Sequence, residues 1–167
     1  MFSGVYTFAS KSTLHSPVME AVLRRKLPHG RFAGVAPGRS RAMGQIKSRG
    51  NRSTEVSFRL ALVRAGIRGW ILHPKAIFGT PDFYFRRARL AVFIDGCFWH
   101  GCPLCGHLPR TRSAFWRAKI ERNKARRVQV ARRLRRDGIW VLRIWEHELK
   151  GRLPHVVHRV EVRLSSH

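Results

Sequence analysis

All three cysteines of the chain lie in one short stretch that follows an apolar run. Cys97, Cys102 and Cys105 are spaced so that they can surround one tetrahedral ion, while Gly101 and Pro103 turn the chain between them. A disulfide would leave one thiol over, and nothing else in the sequence indicates an oxidising compartment. The spacing therefore favours structural zinc, with three small buried residues and no metal as the alternative.

Three thiolates require a fourth ligand, and three histidines are candidates. His100 and His107 are close to the cysteines in sequence, whereas His147 lies far along the chain. Spacing alone leaves the choice among them open.

Acidic residues are few, nine against 34 lysines and arginines, so each carboxylate is a candidate functional group. Asp82 stands at the head of an apolar run, where a buried carboxylate needs a cation or strong donors. A turn or capping role beside Pro81 is its alternative. Glu55 falls in the first turn of a predicted helix, where the helix dipole favours an acid, so a helix-end charge competes with a catalytic role.

The formal net charge is +25, which raises encounter rates with polyanions. Nucleic acid is the expected partner, and a basic protein facing an acidic membrane is the alternative. No apolar run reaches the length of a membrane span, and residues 1–20 lack the pattern of a signal peptide. We expect a cytoplasmic, nucleoid-associated protein with no membrane partner.

The chain is long enough for one core and divides into three parts. Residues 1–38 predict a poorly ordered extension. Residues 39–52 form a basic arm whose apolar residues Met43 and Ile46 suit a DNA groove, with a solvated linker as the equal alternative. Residues 53–167 form the folded domain.

The predicted order of elements in this domain is helix, three strands, helix, strand and helix. The expected helices span 54–65, 113–136 and a terminal stretch from Leu153 to Leu164, and the expected strands span 67–73, 81–85, 90–94 and 139–145. Helical spacing predicts the inner faces of the first two helices, as Val56, Leu60, Val63 and Ile67, and as Trp116, Ile120, Val128, Ala131 and Leu134. A hairpin followed by a strand-helix-strand crossover predicts a mixed sheet in a single α/β domain.

Five motifs occur in an order that is found in a known family. They are Ser53-Thr-Glu55, Gly79-Thr-Pro-Asp82, Val92-Phe-Ile-Asp-Gly-Cys-Phe-Trp-His100, Phe115-Trp-Arg-Ala-Lys-Ile-Glu-Arg-Asn123 and Val141-Leu-Arg-Ile-Trp-Glu146. Over about residues 39–150 the chain resembles the very short patch repair (Vsr) endonucleases, which are DNA mismatch nickases of the PD-(D/E)xK superfamily. The resemblance implies a restriction-endonuclease-like fold, a mixed β-sheet flanked by helices with a structural zinc site.

The resemblance also implies hydrolysis of one phosphodiester, 5′ to the thymine of a T·G mismatch that arises from 5-methylcytosine deamination. Asp82 would bind Mg²⁺, with a lesser contribution from the backbone carbonyl or side chain of Asp95. His100 would be the general base, and Glu55 would orient His100 or a metal-bound water. Expected partners are double-stranded DNA with a T·G mismatch and other mismatch-repair proteins, and we expect a monomer.

In the resembling family a zinc ligand follows the Trp-Glu pair after the last strand, and here His147 occupies that position. The resemblance therefore implies that Cys97, Cys102, Cys105 and His147 bind zinc, which leaves His100 for catalysis.

Remaining positions match the DNA contacts of the family. Phe98, Trp99 and Trp116 would form a wedge that enters the duplex beside the mismatch, with a place in the core as the alternative. Lys119 and Asn123 would read the mismatched pair in the major groove.

Met43 and Ile46 would reach the opposite groove.

Two other functions stay open: a restriction-like or mobile-element endonuclease that cuts matched DNA, and a zinc-containing DNA-binding protein without catalysis.

Overall fold

The computed structural model describes residues 52–166. The extension 1–38 and residues 39–51 of the basic arm, with Met43 and Ile46, lie outside the described residues. The helices are α1 (Arg52–Arg64), α2 (Ser113–Arg136), α3 (Glu146–Gly151) and α4 (Leu153–Ser165), and the strands are β1 (Trp70–Leu72), β2 (Phe83–Phe85), β3 (Leu90–Asp95) and β4 (Trp140–Trp145). In this part of the chain, no helix combines the length and the apolar character that a membrane span needs.

The strands form one mixed sheet in the order β1-β2-β3-β4. The first two pairings are antiparallel and the third is parallel, because α2 returns the chain to the end of the sheet where β3 began. In the parallel pair Asp95 lies opposite Trp145, so the loops that leave β3 and β4 emerge side by side. The mixed α/β architecture expected from the sequence is therefore present.

Helices cover both faces of the sheet. Alternate residues of β2 and β3 point to opposite faces, so Phe83 and Val92 pack on one side, whereas Tyr84 and Phe93 pack on the other. The first face is covered by α1, α3 and α4 through buried side chains that include Phe58, Leu62, Leu149, Val156, Val157 and Val160. The second face is covered by α2.

The predicted inner face of α1 is wrong for the three residues inside the helix, although Ile67, which follows it, is buried as expected. Val56, Leu60 and Val63 are exposed, and the helix instead buries Phe58 and Leu62. The ring of Phe58 packs edge-on against Phe83, with centroids 5.1 Å apart. An aromatic side chain buries more apolar area than a valine, so the stripe that contains the ring faces the sheet.

The predicted inner face of α2 is wrong at Val128 and Ala131, whereas the expected burial of Leu134 is confirmed. Val128 is exposed and Ala131 is half-buried, while Val130 and Leu134 are buried against the sheet. These two residues are one turn apart and meet the cluster around Phe93. The first half, with Trp116 and Ile120 buried, agrees with the expectation.

The structure also differs from the sequence prediction in the length of strand β1 and in the presence of helix α3. The first strand is shorter than expected, because Gly69 and His73 both have positive φ, at 83° and 43°, and bound it on either side. Helix α3 was not expected at all. It begins directly after β4, where the carboxylate of Glu148 accepts a 2.7 Å hydrogen bond from the backbone N–H of Trp145.

Candidate active site and metal centre

Asp82 is fixed immediately before β2. Its backbone N–H donates to the carbonyl of Val92 at 3.0 Å, and its Oδ2 accepts from the N–H of Ile94 at 2.6 Å. Burial raises the pKa of this carboxyl to about 6, against the opposing effects of the Ile94 N–H and of His73. The group is therefore mainly ionised at neutral pH although its environment disfavours the charge, which a bound cation would relieve.

Glu55 and Asp82 lie on either side of one imidazole, that of His73. Nε2 of His73 is 3.1 Å from Oε1 of Glu55, and Nδ1 is 3.9 Å from Oδ1 of Asp82. The backbone N–H of His73 also donates to the carbonyl of Asp82 at 3.2 Å. We call these three residues the Asp82 cluster. Sequence reasoning missed His73, because it reads there as an ordinary residue at the end of a strand.

Asp95 ends β3 and is buried among cationic side chains. Nη1 of Arg143 lies 2.6 Å from its Oδ1, Nε of Arg127 lies 3.4 Å from its Oδ2, and Nε2 of His100 lies 3.7 Å from its Oδ1. We call these four residues the Asp95 cluster. Two arginines already pair with this carboxylate, and the role of Asp95 as a Mg²⁺ ligand, through its backbone carbonyl or its side chain, stays a prediction.

The parallel pairing of β3 with β4 explains why Arg143 lies beside Asp95, although the sequence did not single out this arginine. Arg143 pairs with Phe93 in the register and its guanidinium lies 4.5 Å from the centre of the Phe93 ring. Both side chains therefore lie on the face that α2 covers, as Asp95 does. No local signal marks this arginine, because its partner is distant in sequence.

His100 lies where it can act as a base. Burial lowers its pKa, although the charge of Asp95 acts in the opposite direction. A lowered pKa keeps the imidazole neutral near pH 7, which is the form that accepts a proton.

The two clusters share one electrostatic site. The charge of Asp95 contributes to the raised pKa of Asp82, and the charge of Asp82 acts in turn on Arg143. The predicted site residues Glu55, Asp82 and Asp95 are thus brought to the same edge of the sheet, with His100 attached through Asp95. The contact that Glu55 makes is with His73.

A second site is formed by the loops that leave β3 and β4. The Sγ atoms of Cys97, Cys102 and Cys105 lie 3.2, 3.6 and 3.5 Å from Nδ1 of His147, and all four ligand atoms lie within 4.8 Å of one another. A tetrahedral zinc ion with bonds of about 2.0–2.3 Å would space its ligands by about 3.5 Å, so this group could hold a metal ion. The register of β3 with β4 brings Cys97 and His147 together.

The other two candidate histidines are outside this metal centre. The ring of His107 packs on Phe98 at 5.7 Å, and His100 belongs to the Asp95 cluster. Within the centre, burial and then the neighbouring thiol of Cys105 raise the pKa of Cys97 to about 12. With so high a pKa, the Cys97 thiol requires a bound cation to become a thiolate at neutral pH.

An aromatic group lies next to the metal centre. The ring of Phe98 is 5.1 Å from that of Trp99 and 5.2 Å from that of Trp116. Phe98 and Trp99 are half-buried, whereas Trp116 is only 7% exposed and packs on Phe115. The structure therefore gives Trp116 a supporting place beneath the other two rings, which is the core alternative for that residue.

Helix α2 supplies the polar neighbours of this aromatic group. Nζ of Lys119 lies 5.1 Å from the centre of the Trp99 ring, and burial lowers the pKa of this lysine. Nδ2 of Asn123 donates to the carbonyl of Trp99 at 2.9 Å. The amide thus ties the aromatic loop to the helix. The outer face of the helix exposes Arg117, Arg122, Arg126, Arg132, Arg135 and Arg136.

Comparison with known proteins places this site in a family. Residues 36–105 match the model of the DNA mismatch endonuclease Vsr family, a range that contains the Asp82 cluster and the three cysteines. The type II nicking enzyme V.NaeI of Lentzea aerocolonigenes is 41% identical over 120 residues, which cover 70% of this chain and 72% of the relative. The chain belongs to the Vsr family.

Two other Vsr-family relatives have comparable similarity. The type II nicking enzyme V.XorIIP of Xanthomonas oryzae pv. oryzae is 40% identical over 118 residues, covering 69% of this chain and 85% of the relative. The DNA mismatch endonuclease Vsr of Escherichia coli is 36% identical over 104 residues, covering 60% of this chain and 66% of the relative. As a member of this family, this chain is a DNA endonuclease. Its membership argues against the alternative of a DNA-binding protein without catalysis.

Proposed function

We propose that this endonuclease nicks one DNA strand 5′ to the thymine of a T·G mismatch that arises from 5-methylcytosine deamination. The observation that carries the proposal is the buried carboxylate of Asp82, which lies across His73 from Glu55 and accepts a hydrogen bond from Ile94, next to the Asp95 that His100 contacts. The mismatch in the printed name of the Escherichia coli relative supports the choice of substrate. We propose that the protein acts as a monomer on double-stranded DNA, before other repair proteins.

The proposed catalytic residues have distinct tasks. Asp82, with the backbone carbonyl of Asp95, holds Mg²⁺, because carboxylate and carbonyl oxygens suit this hard cation. When bound, the cation supplies polarisation of the scissile phosphate and stabilisation of the leaving oxyanion. His100 accepts the proton of the attacking water, since burial keeps its imidazole neutral. Glu55 orients the water from the first turn of α1.

The proposed DNA contacts surround this edge of the sheet. Phe98 and Trp99 enter the duplex beside the mismatch, and the buried Trp116 supports them from below. Lys119 and Asn123 read the mismatched pair from the same face of α2. The arginines on the outer face of α2 bind phosphates.

We also propose a structural zinc site, a fold type and domain boundaries for this endonuclease. Zinc at Cys97, Cys102, Cys105 and His147 would hold the aromatic loop against the start of α3, and four soft ligands at tetrahedral spacing fit that ion. The sheet order and the acid before β2 support a restriction-endonuclease-like fold. The nuclease domain is proposed to span 53–167, preceded by a DNA-contacting arm over 39–52 whose Met43 and Ile46 reach the opposite groove.

The test uses pure protein and end-labelled hemimethylated duplexes that differ only in a T·G or a T·A pair. We expect a single nick 5′ to the mismatched thymine in Mg²⁺, and intact DNA in EDTA. Equal cutting of the T·G and T·A duplexes would contradict the proposed specificity.

A nicking enzyme that reads matched DNA is the second candidate. It is favoured by the names of V.NaeI and V.XorIIP, both of which are called type II nicking enzymes. Sequencing the products from a random-sequence duplex pool separates the two candidates, because enrichment of one matched site would select this second function.

A further inference from the structure

We propose that His73 is a positioning residue that fixes the carboxylate of Glu55 beside the cation-binding oxygen of Asp82. This inference rests on the proposed function, since it assigns His73 to the same reaction. His73 does not itself touch the reacting atoms, and it acts through the two acids that its ring separates.

The position of the imidazole is set by the backbone. Strand β1 ends at Leu72, but the N–H of His73 still donates to the carbonyl of Asp82 at 3.2 Å. The φ angle of His73 is 43°, in the left-handed region that histidine, like asparagine and aspartate, adopts more readily than most other residues with a side chain. Here it turns the ring back toward α1.

The ring then makes a directed contact to Glu55. Its Nε2 lies 3.1 Å from Oε1 of Glu55, which is hydrogen-bond distance, whereas Nδ1 lies 3.9 Å from Oδ1 of Asp82, beyond that distance. A glutamate on the first turn of a helix has several free rotamers without such a partner. The hydrogen bond therefore holds Glu55 in one orientation, and the ring keeps the two carboxylates apart.

Separation matters because the site concentrates acids. Glu55 and Asp95 both act on Asp82 in the direction that disfavours its ionised form, while His73 acts in the opposite direction. Removing a side chain that holds a neighbouring acid in place therefore lowers the rate of the reaction. Substitution of residues that orient the ligands of a metal typically lowers activity by about 10- to 100-fold.

The kinetic test compares variants that suit the left-handed backbone. His73→Asn fits that backbone and is too short to reach Glu55, whereas His73→Gln can place an amide donor near the position of Nε2. We expect His73→Asn to lower the single-turnover rate of T·G nicking by about tenfold or more with unchanged DNA affinity, and His73→Gln to recover most of the loss. His158→Asn is the matched control, because this exposed histidine of α4 also lies beside a glutamate, 3.7 Å from Glu161, and belongs to neither cluster, so it should nick at the wild-type rate.

Non-additivity separates positioning through Glu55 from a general loss of structure. In a Glu55→Ala background, which removes the oxygen that Nε2 of His73 contacts, His73→Asn should cause little further loss, because the two changes disrupt one interaction. A wild-type rate for His73→Asn, an equal loss in His73→Gln or His158→Asn, or a full further loss in the Glu55→Ala background would each overturn the inference.

A second readout needs no nicking. In NMR spectra of the DNA-free protein, the imidazole resonances of His73 should shift on titration with Mg²⁺, and this shift should vanish in Asp82→Asn. Resonances that ignore Mg²⁺ in the wild type, or that shift equally in Asp82→Asn, would overturn the inference. If the wild type does not nick the T·G duplex, the proposed function fails and this spectrum alone decides the role of His73.

Discussion

Replacing Asp82 with asparagine should stabilise the metal-free protein while it abolishes nicking. Burial raises the pKa of Asp82 from 3.8 to about 6, so the folded state binds a proton more tightly than the unfolded state does. Stability therefore falls as the pH rises from about 4 to about 6, and the full penalty persists above this range. Asparagine removes the charge and keeps an oxygen that can accept from the N–H of Ile94.

The size of the effect follows from the same pKa. A tenfold change in acidity corresponds to about 1.4 kcal/mol, so the ionised carboxylate costs the fold up to about 3 kcal/mol at pH 7.5. The asparagine amide must also be buried, so we expect a gain of about 1–3 kcal/mol in the free energy of unfolding, or roughly 3–9 °C in Tm. At pH 5.0 the gain should shrink to about half, because the folded carboxyl is then mainly protonated while the unfolded one is still ionised.

Thermal unfolding at pH 7.5 and 5.0, in EDTA-free buffer without Mg²⁺, measures this difference. Asp137→Asn is the matched control: Asp137 is an exposed acid that pairs with Arg133 at 3.1 Å, and its loss should change stability by no more than about 0.5 kcal/mol. Millimolar Mg²⁺ should raise the Tm of the wild type and not that of Asp82→Asn. An Asp82→Asn protein that is no more stable than the wild type at pH 7.5 would refute the reasoning.

Three further predictions concern the scaffold. Elemental analysis should find zinc in the wild type and none in Cys102→Ser, whose Tm should be lower, since binding energy at such a centre is also folding energy. Gly79→Ala should lower the free energy of unfolding in urea by about 2–3 kcal/mol, because φ is 80° and the added Cβ would lie 2.5 Å from a methyl carbon of Val130 in α2. Gly66→Ala has a similar φ of 76° but open space around the added Cβ, so it should lower this free energy by only about 1 kcal/mol. Arg143→Met should destabilise the protein by about 3 kcal/mol, because it leaves Asp95 buried without its nearest cation, and a further Asp95→Leu change should recover part of that loss.

Apart from the short helix α3, the order of elements, the mixed sheet and the clustering of the cysteines could be predicted from the sequence because their signals are local. Apolar runs of strand length and glycines that stop helices mark the elements, and Gly66 and Gly138 do end α1 and α2 with positive φ. The crossover rule then makes β4 parallel to β3 without any knowledge of side chains.

Features that depend on tertiary packing could not be predicted. Valines and a phenylalanine compete for the inner face of α1, and only the ring of Phe83 across the interface decides in favour of Phe58. His73 and Arg143 acquire their partners from residues 18 and 48 positions away, and no pattern in one sequence links them. The short β1 has the same cause, because the positive φ of His73 belongs to the site rather than to the strand.

Single-turnover nicking by wild type and Asp82→Asn on one hemimethylated T·G duplex tests the central claim most directly, with DNA binding measured in parallel. In Mg²⁺ the wild type should cut once, 5′ to the mismatched thymine, while Asp82→Asn binds the duplex with similar affinity and leaves it intact. Cutting by Asp82→Asn at the wild-type rate would contradict the claim that this carboxylate holds the catalytic cation.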